Sequence, residues 1–596
     1  MSRLRMSAGR GKSCSLLAGL FFTAAIGLSA CSGGGGDGTP ATPTPTATPT
    51  STAEPTFSTK NEASRFLNQA TFGSTDETSD ALLPQNVSEW FQRQISLPRT
   101  SHMSVVLGAI EDTAPTELEY VQAGWPTASF YMSAIEGEDQ LRQRMTYALS
   151  QILVVSAPVD SELFYQPSVM AAYMDVLNEH ALGNYRDLLQ DVTYSPAMAN
   201  FLTYLQNQKA NPNTGQVPDE NYARELMQLF TIGLTELNPD GSQVLVGGEP
   251  VETYSQEDIR GLAKVFTGLS YDTDSFYDHW YSLDRVSRYS PLRPFDEFHS
   301  TEEKRFLDLT IPPGTQADAS ISQALDHIFD HENVAPFVSR QLIQRLVTSH
   351  PSDAYVGRVS AVFEAGRYTL PNGDIVGDGR KGDLAAVACA ILLDNEARND
   401  AFSQQQDFGK VREPVIRFIH WARAFGADPA EIVNEYYLFD SSSPERLAQH
   451  PFRAPSVFNF YRPQYVAPNT STGDAGLTAP ELQIVNETSS IGYSNFMTSF
   501  IRGFAPNFGD DEENGLNLTY PAERALAGDP DALIFHLSDL LVAGALEAST
   551  ANRIVDVLNE MPIRTEDEEQ RVRDELLRVQ IAILMVMTSP EYLVQR

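Results

Sequence analysis

Along most of the chain after residue 58, apolar residues recur at helical spacing, and residues that can cap a helix N-terminus precede these stretches. This pattern limits the possible folds more than any other feature of the sequence. Residues 59–62 have the sequence of a capping box, Ser255 precedes an amphipathic stretch, and residues 565–568 precede the last long one. Alternating, strand-like runs are short, and residues 243–248 and 368–376 look like hairpin loops with glycine turns. We therefore predict a mainly α protein, a large multi-helix body with short β-hairpin loops.

The composition supports a folded body and argues against nucleic-acid binding. Of 596 residues, 42% are hydrophobic and 10% are aromatic, which is enough for a sizeable core. The formal net charge is −36, and residues 1–30 hold four basic and no acidic side chains, so removing them leaves −40. Such an acidic surface repels phosphate backbones and anionic lipid headgroups. We expect no nucleic-acid partner and no direct docking to lipid.

The N-terminus has the pattern of an export signal. An apolar run at residues 16–28 follows the basic residues, and it is shorter than the roughly 20 residues of a membrane-spanning helix. The sequence Leu-Ser-Ala-Cys that ends at Cys31 resembles the lipobox of bacterial lipoproteins. The resemblance implies a signal peptide at residues 1–30 and acylation of Cys31, and Ser32 in place of Asp favours the outer membrane. An ordinary signal peptide with an incidental cysteine is the alternative.

Residues 31–57 form the next section, a lipidated cysteine followed by a Gly/Thr/Pro-rich tether. Glycine gives such a segment flexibility and the Thr-Pro repeats favour an extended chain, so it builds no core. The helical body then covers residues 58–596, as one domain or as two packed subdomains. It holds a single cysteine, Cys389, and therefore forms no internal disulfide. We expect a protein exported to the cell envelope and attached to its membrane through acyl chains only.

Residues 218–233 read PDENYARELMQLFTIG and resemble the hallmark segment of the bacterial domain of unknown function 1800 (DUF1800) family. Residues 254–269, which end in FTGL, resemble the segment that follows it in the family. Further similarities lie at residues 65–73, 381–398 and 453–463. The residues that carry the two central motifs are Asn221, Tyr222, Arg224, Glu225, Thr267 and Gly268. The resemblance implies no catalytic assignment, because the family is defined without one.

At three positions the chain departs from the family's pattern. Gln228 stands where the family has Glu, and Leu269 stands where it has Trp. Ser300 follows His299, where the family has a His-Asp pair. If the family's chemistry needs that Glu or that pair, this chain is impaired or works differently.

The hallmark segment has the spacing of an amphipathic helix. Its polar residues recur on one face: Asn221, Arg224, Glu225 and Gln228. Its apolar side is formed by Tyr222, Leu226, Leu229 and Phe230. Three interpretations stay open. The polar face is solvated with routine ion pairs such as Glu220–Arg224, or it is a buried structural network, or it lines a cleft where Arg224 holds an anionic group.

Two functions from different classes follow. The first is a surface binding or assembly protein that works with a secreted partner. The resemblance implies this partner, a protein of the sulfatase-like DUF1501 family. The second is an envelope hydrolase or other enzyme in which five side chains converge: Asp219, Glu220, Arg224, Glu225 and His299. The binding function is favoured because the sequence holds no complete catalytic constellation, and the enzyme remains the alternative.

No complete set of metal ligands is visible. His327 and His331 have the i, i+4 spacing of a helical zinc pair, but the chain has no HExxH motif. Residues 238–241 and 372–379 have the oxygen-rich look of calcium loops without the glutamate that completes an EF-hand. We predict no metal site, with zinc or calcium at these places as the alternatives, and the sequence indicates no cofactor, so the cofactor stays unknown.

Overall fold

A computed structural model describes residues 57–112, 123–433, 438, 440–503, 516 and 518–596. The predicted signal peptide, Cys31 and the predicted tether up to residue 56 lie outside the described residues. The described part of the chain belongs to one compact unit, residues 54–596. Its fold is mainly α, as the sequence predicts, and the strands form only two-stranded pairs.

The helices are mostly short and connected by turns. In the first part of the chain they are α1 Lys60–Ala70, α2 Asp76–Leu82, α3 Val87–Ser96, α4 His102–Asp112, α5 Trp125–Glu136, α6 Gln140–Ser150, α7 Pro167–His180, α8 Tyr185–Thr193 and α9 Pro196–Phe201. In the middle they are α10 Asn221–Glu225, α11 Gln256–Ala263, α12 Arg285–Tyr289, α13 Ala317–Asp330, α14 Val334–Leu346, α15 Asp353–Ala365, α16 Leu384–Leu392, α17 Asn395–Arg398 and α18 Asp400–Ser403. In the last part they are α19 Pro414–Ala424, α20 Pro429–Val433, α21 Ser471–Asp474, α22 Glu487–Ile501, α23 Pro521–Ala525, α24 Pro530–Val542, α25 Ala548–Asn559, α26 Glu568–Met587 and α27 Pro590–Leu593.

Among the described residues, five antiparallel strand pairs accompany the helices. They are β1 Leu245–Val246 with β2 Glu249–Pro250, β3 Leu269–Ser270 with β4 Arg293–Pro294, β5 Lys304–Phe306 with β6 Leu309–Ile311, β7 Tyr368–Thr369 with β8 Ile375–Val376, and β9 Lys410–Val411 with β10 Val594–Gln595. The first and fourth pairs confirm the predicted glycine-turn hairpins. The last pair joins residues 594–595 to residues 410–411, which lie more than 180 positions earlier in the chain.

The predicted helix starts are confirmed at one site and differ in detail at two. Ser255 and Asp258 form a reciprocal capping box at α11. At α1 the Thr59 side chain accepts from the Glu62 N–H, but the Glu62 carboxylate accepts from Ser58 rather than from Thr59. The last long helix begins behind Asp567, two residues after the predicted Thr565. Asp567 lies in extended backbone and its carboxylate accepts from the Glu569 N–H.

Two large hydrophobic clusters and one small one fill the interior of the described part of the chain. One large cluster is built mainly by residues of α1 to α16 and includes Tyr222, Met227 and Phe230 of the hallmark segment. The other large cluster is built mainly by α19 and the helices after it, with Phe130 of α5 packed among them. Cys389 is fully buried in the first cluster, and burial raises the pKa of its thiol. None of the described helices is both long and apolar enough to cross a membrane.

Candidate functional site

The hallmark segment changes helix type in its middle. The α-helix ends at Glu225, and Leu226–Thr231 continue it as π-helix. The amides of Ile232 and Gly233 both donate to the Met227 carbonyl, each over 2.9 Å. Gly233 then has φ +75°, and a Cβ there would lie 2.8 Å from the Phe337 ring. A π-turn inserts a residue into the helix, shifts the side chains after it and recurs at functional sites.

The predicted polar face is therefore divided. Glu225 is only 6% exposed, which corrects its placement beside the solvent-reaching Asn221 and Arg224. Met227 is fully buried, while Leu229 of the predicted apolar side is partly exposed. The sequence period of 3.6 residues does not hold through the π-turn, so the pattern places Leu229 incorrectly.

The start of the hallmark segment forms a surface network. Asp219 Oδ1 accepts from the Asn221 amide over 2.8 Å, which makes Asp219 the turn residue before α10. Glu220 and Arg224 form the predicted i, i+4 ion pair over 3.0 Å, and both are partly exposed. Gln256 donates to the same Glu220 oxygen over 2.7 Å. At the exposed end of the motif the solvated-face interpretation holds, and such pairs contribute only about 0.3–0.5 kcal/mol.

Glu225 lies in a different environment. Its Oε2 atom is buried and has no hydrogen-bond partner among the described residues. Burial raises the pKa of this carboxyl, and nearby Arg224 opposes the rise. The Tyr254 hydroxyl donates to Gln228 over 3.4 Å, and burial followed by the charge of Glu225 raises the pKa of Tyr254 to about 12. Glu225 is therefore a buried carboxyl whose charge is costly.

His299 is enclosed, with both ring nitrogens engaged. Nδ1 donates to the Thr267 carbonyl over 2.8 Å, and Nε2 lies 3.2 Å from Ser320 Oγ. Burial lowers the pKa of His299, so the ring is neutral at pH 7. Gly268 has φ +87°, and a Cβ there would lie 2.9 Å from the His299 amide. The Thr-Gly motif and His299 thus pack as one unit, and the Ser300 amide donates to Thr267 Oγ1 over 2.8 Å.

Of the five predicted catalytic candidates, the structure joins Glu220 to Arg224. Asp219 instead contacts Thr203, Glu225 lies near both Arg224 and Tyr254, and His299 contacts Thr267 and Ser320. The two histidines of the alternative zinc site, His327 and His331, also have different contacts. His327 donates to the Leu307 carbonyl, and His331 accepts from the Asn333 amide over 3.1 Å. In the described part of the chain, no group of three or more His, Cys, Asp and Glu is placed to hold a metal.

A cavity of about 740 Å³ lies beside the end of the hallmark segment. Three stretches of the chain form most of its wall: residues 228–237, residues 337–345 of α14 and residues 457–466. Gln228 and Leu229, which the π-turn displaces, belong to the first stretch. The volume falls within the range of small-molecule sites, about 300–1,000 Å³. The hallmark segment and residues 453–463, which both carry the family resemblance and lie more than 200 residues apart in sequence, therefore meet at one cavity.

The polar wall of the cavity centres on Gln151. Its side chain accepts from the Tyr461 hydroxyl over 3.0 Å and donates to Glu413 over 2.8 Å. Its carbonyl accepts from Arg345 Nη2 over 3.0 Å. Gln151, Tyr461 and Arg345 all line the cavity, and all are buried. Two further aromatic residues of this segment line the cavity: Phe458, which is 36% exposed, and Tyr465, which is half-buried.

A cluster of buried charges lies behind this wall. It comprises Arg144, Arg345, Lys410, Glu413 and Glu481, none more than 3% exposed, and we call it the buried charge cluster. Lys410 pairs with both carboxylates. Burial alone would raise the pKa of Glu413, but Lys410 and Arg144 outweigh it and lower that pKa. Burial lowers the pKa of Arg144 and of Arg345. The cluster holds three cations and two carboxylates.

The cavity wall itself is basic. Arg340, Arg345 and Arg462 line it, and none of the lining residues described is Asp or Glu. Arg340 pairs with Asp353 over 2.8 Å. Arg345 and Arg462 form no ion pair with a described residue, and Arg462 lies over the Phe458 ring at 4.8 Å from its centroid. An acidic chain thus holds a cavity that is suited to an anion.

Sequence reasoning did not identify Gln151, Arg345 or Glu413. The similarity at residues 453–463 was a signal for one wall, because Tyr461 lies within it. Arg345 stands in α14 next to a recognisable apolar stripe, where a basic residue ordinarily reaches solvent. No spacing rule connects residues that approach each other only in the folded chain.

Comparison with known proteins places the whole body in one family. A family model described as "Protein of unknown function (DUF1800)" matches residues 65–594, a range that includes the hallmark segment and every residue of the cavity wall. Neither the curated proteins nor the solved structures include a match. The chain is therefore a member of the DUF1800 family.

Proposed function

We propose that this protein is an envelope lipoprotein whose helical body binds a ligand in the cavity between the hallmark segment and residues 457–466. The observation that carries the proposal is the meeting of these two distant segments at one cavity. The π-turn supports it, because it brings Gln228 and Leu229 to the cavity wall. In this function the C-terminal end of the hallmark segment forms part of the ligand-binding wall, and its N-terminal end belongs to the surface network.

The location of the protein is part of the proposal. The basic N-terminus, the apolar run at residues 16–28 and the lipobox-like sequence before Cys31 support export and acylation. Ser32 supports the outer membrane, and the Gly/Thr/Pro-rich residues after it support a tether. We propose that the helical body, tethered to the membrane, works together with a secreted protein of the DUF1501 family as its partner.

The binding proposal is tested by blocking the cavity. Leu229→Trp places a larger side chain in the wall, and the exposed Leu577→Trp is the matched control. The wild type and both variants are purified from bacterial membranes and their bound molecules are compared by mass spectrometry. We expect Leu229→Trp to lose a component that the wild type and the control retain. Equal bound content in all three folded proteins contradicts a ligand site in this cavity.

The lipoprotein proposal has its own test. Cys31→Ala removes the thiol that would be acylated. We expect the wild type to incorporate a labelled fatty acid and to fractionate with outer membranes, and the variant to do neither. Unchanged labelling of the variant contradicts acylation at Cys31.

The enzyme alternative is supported by one observation, the buried Glu225 carboxyl with its raised pKa and its unpartnered oxygen. A hydrolase would use this group as a general acid beside Tyr254. Glu225→Gln, which keeps the shape and removes the proton donor, tests it directly. A hydrolytic activity of the wild type that this variant lacks would favour the enzyme. Retention of the bound component by the same variant would favour the binding protein.

A further inference from the structure

We propose that the cavity ligand carries an anionic group, a carboxylate, phosphate or sulfate, that binds against Arg345 and Gln341, and an apolar body that packs against Phe337 and Phe458. This inference rests on the proposed function and specifies the chemistry of its ligand. The argument depends on the charge of the wall, on donors that lack partners and on the charge balance behind the wall.

The charge of the wall is opposite to that of the chain. The protein carries a formal net charge of −36, yet three arginines and none of the described acidic residues line this cavity. A basic cleft in an acidic protein attracts anions locally, whereas the acidic surface around it repels those that lack a site. The position of the arginines therefore favours an anionic ligand over a neutral or cationic one.

Two donors at the wall lack partners. Arg345 Nε and Gln341 Nε2 are buried, and neither forms a hydrogen bond with a described residue. The Nη1 and Nη2 atoms of Arg345 donate to the Gln341 and Gln151 carbonyls over 3.1 and 3.0 Å, so its guanidinium forms no hydrogen bond with a carboxylate of the described residues. Unsatisfied buried donors are costly, and most so on a charged group. An anionic oxygen at this place would accept from both side chains.

The charge balance behind the wall favours the same ligand. Three cations and two carboxylates of the buried charge cluster leave one excess positive charge out of water. Uncompensated buried charge is destabilising. Arg345 belongs both to the cluster and to the cavity wall, so an anion bound there would neutralise the excess.

The rest of the wall fits an apolar body. Phe337 and Leu229 are partly buried at the cavity, and Phe458 is 36% exposed beneath Arg462. Arg340 is already paired with Asp353, so Arg345 is the arginine that binds the anionic group inside the cavity. The exposed Arg462 lies at the entrance of the cavity. Aromatic walls with a few convergent charged donors are typical of sites for small amphiphilic anions.

The inference is tested with two probes of one shape, naphthalene-2-sulfonate and the neutral 2-naphthol. Each is titrated by calorimetry into the full chain in non-ionic detergent, with empty micelles as the blank. We expect the sulfonate to bind one site per chain at least about tenfold more tightly than the naphthol, and its affinity to fall with salt. Leu229→Trp should abolish binding of both probes.

Two arginine variants locate the anionic group. Arg345→Gln should reduce sulfonate affinity about tenfold or more and leave naphthol affinity unchanged. Because Arg345 is buried, Arg462→Gln at the exposed entrance is the second variant, with an expected loss of a fewfold and a weaker salt dependence. Arg305→Gln, an exposed arginine of β5, is the matched control and should bind as the wild type does.

Each result decides between the proposals. Equal binding of both probes, unaffected by Arg462→Gln and abolished by Leu229→Trp, overturns the anionic ligand and leaves the binding cavity in place. A co-purified cavity ligand that proves uncharged overturns the inference in the same way. Failure of both probes, together with unchanged bound content in Leu229→Trp, overturns the binding function and the anion with it.

Discussion

The Tyr461 hydroxyl donates a hydrogen bond to Gln151 Oε1 over 3.0 Å, between residues 310 positions apart in the chain. The side-chain amide of Gln151 in turn donates a hydrogen bond to the buried Glu413. One wall of the cavity is thereby fixed to the buried charge cluster. A change in this hydrogen bond should alter both the stability of the body and the shape of the cavity.

Tyr461→Phe removes the hydroxyl and keeps the ring. Gln151 Oε1 then retains only Asn459, whose amide lies 3.4 Å away. A buried acceptor left poorly satisfied costs about 1–3 kcal/mol, so we expect the free energy of unfolding to fall by that amount. Urea denaturation followed by circular dichroism measures it. Tyr465→Phe, at a half-buried tyrosine of the same cavity, should change stability by less, and an equal loss in both variants would contradict this role for Tyr461.

Glu413→Gln removes one of the two carboxylates of the buried charge cluster. Lys410 and Arg144 then lose compensation, and breaking a buried charge pair costs about 3–5 kcal/mol. Because the folded pKa of Glu413 is lowered, its contribution is present above the unfolded value near 4.5 and is lost as the pH falls below it. Denaturation at pH 7 and at pH 3.5 should therefore show a larger difference from the wild type at pH 7. The exposed Glu303→Gln is the control, and a difference that does not shrink in acid would refute the argument.

Glu225→Gln should have the opposite pH dependence. Since burial raises the folded pKa of Glu225, the wild type loses stability as the pH rises from the unfolded value of 4.5 through the raised folded pKa. The variant carries no ionisable group there and escapes this loss. The free energy of unfolding of the variant, relative to the wild type, should be higher at pH 8 than at pH 4.5. Glu257→Gln, at an exposed position in α11, should lack this trend, and a flat difference for Glu225→Gln would be inconsistent with its burial.

The ion pair between Glu523 of α23 and His536 of α24 predicts that the free energy of unfolding falls at high pH. His536 Nε2 lies 3.1 Å from Glu523 Oε1, and this hydrogen bond raises the pKa of His536 against the effect of burial. The stability that it contributes is complete below the unfolded value of 6.5 and is lost as the pH rises through the raised folded pKa. His536→Gln should therefore cost about 1 kcal/mol at pH 6 and less at pH 9. Chemical denaturation at both pH values measures this, with the exposed His279→Gln as control, and an equal cost at both values would argue against a charged pair.

Local sequence patterns predicted the elements that depend on near neighbours. Ser255 and Asp258 are three residues apart, so the reciprocal cap of α11 follows from their side chains and the helix geometry alone. The hairpin of β7 and β8 follows in the same way from the glycine turn between them. The Glu220–Arg224 pair is likewise a consequence of helical spacing.

The same patterns failed where distant contacts determine the backbone. Gly233 packs against Phe337 of another helix, and the amides of residues 232 and 233 both share the Met227 carbonyl. A period of 3.6 residues contains no signal for the π-turn, so it assigns Leu229 to the buried apolar side although Leu229 is partly exposed. The sequence pattern also gives no information on the hydrogen-bond partners of the His299 ring, because these partners, Thr267 and Ser320, are 32 and 21 residues away.

By itself, the sequence determined the mainly α class, the helix starts that rest on a single capping residue, and membership of a family through motifs spread along the chain. Only the tertiary structure decided that Gln151, Arg345 and Tyr461 form one wall and that three buried cations face two carboxylates. The physical reason is the range of the interactions. A cap or an i, i+4 pair is encoded within one helical turn, whereas a cavity and its charge exist only after segments hundreds of residues apart have packed together.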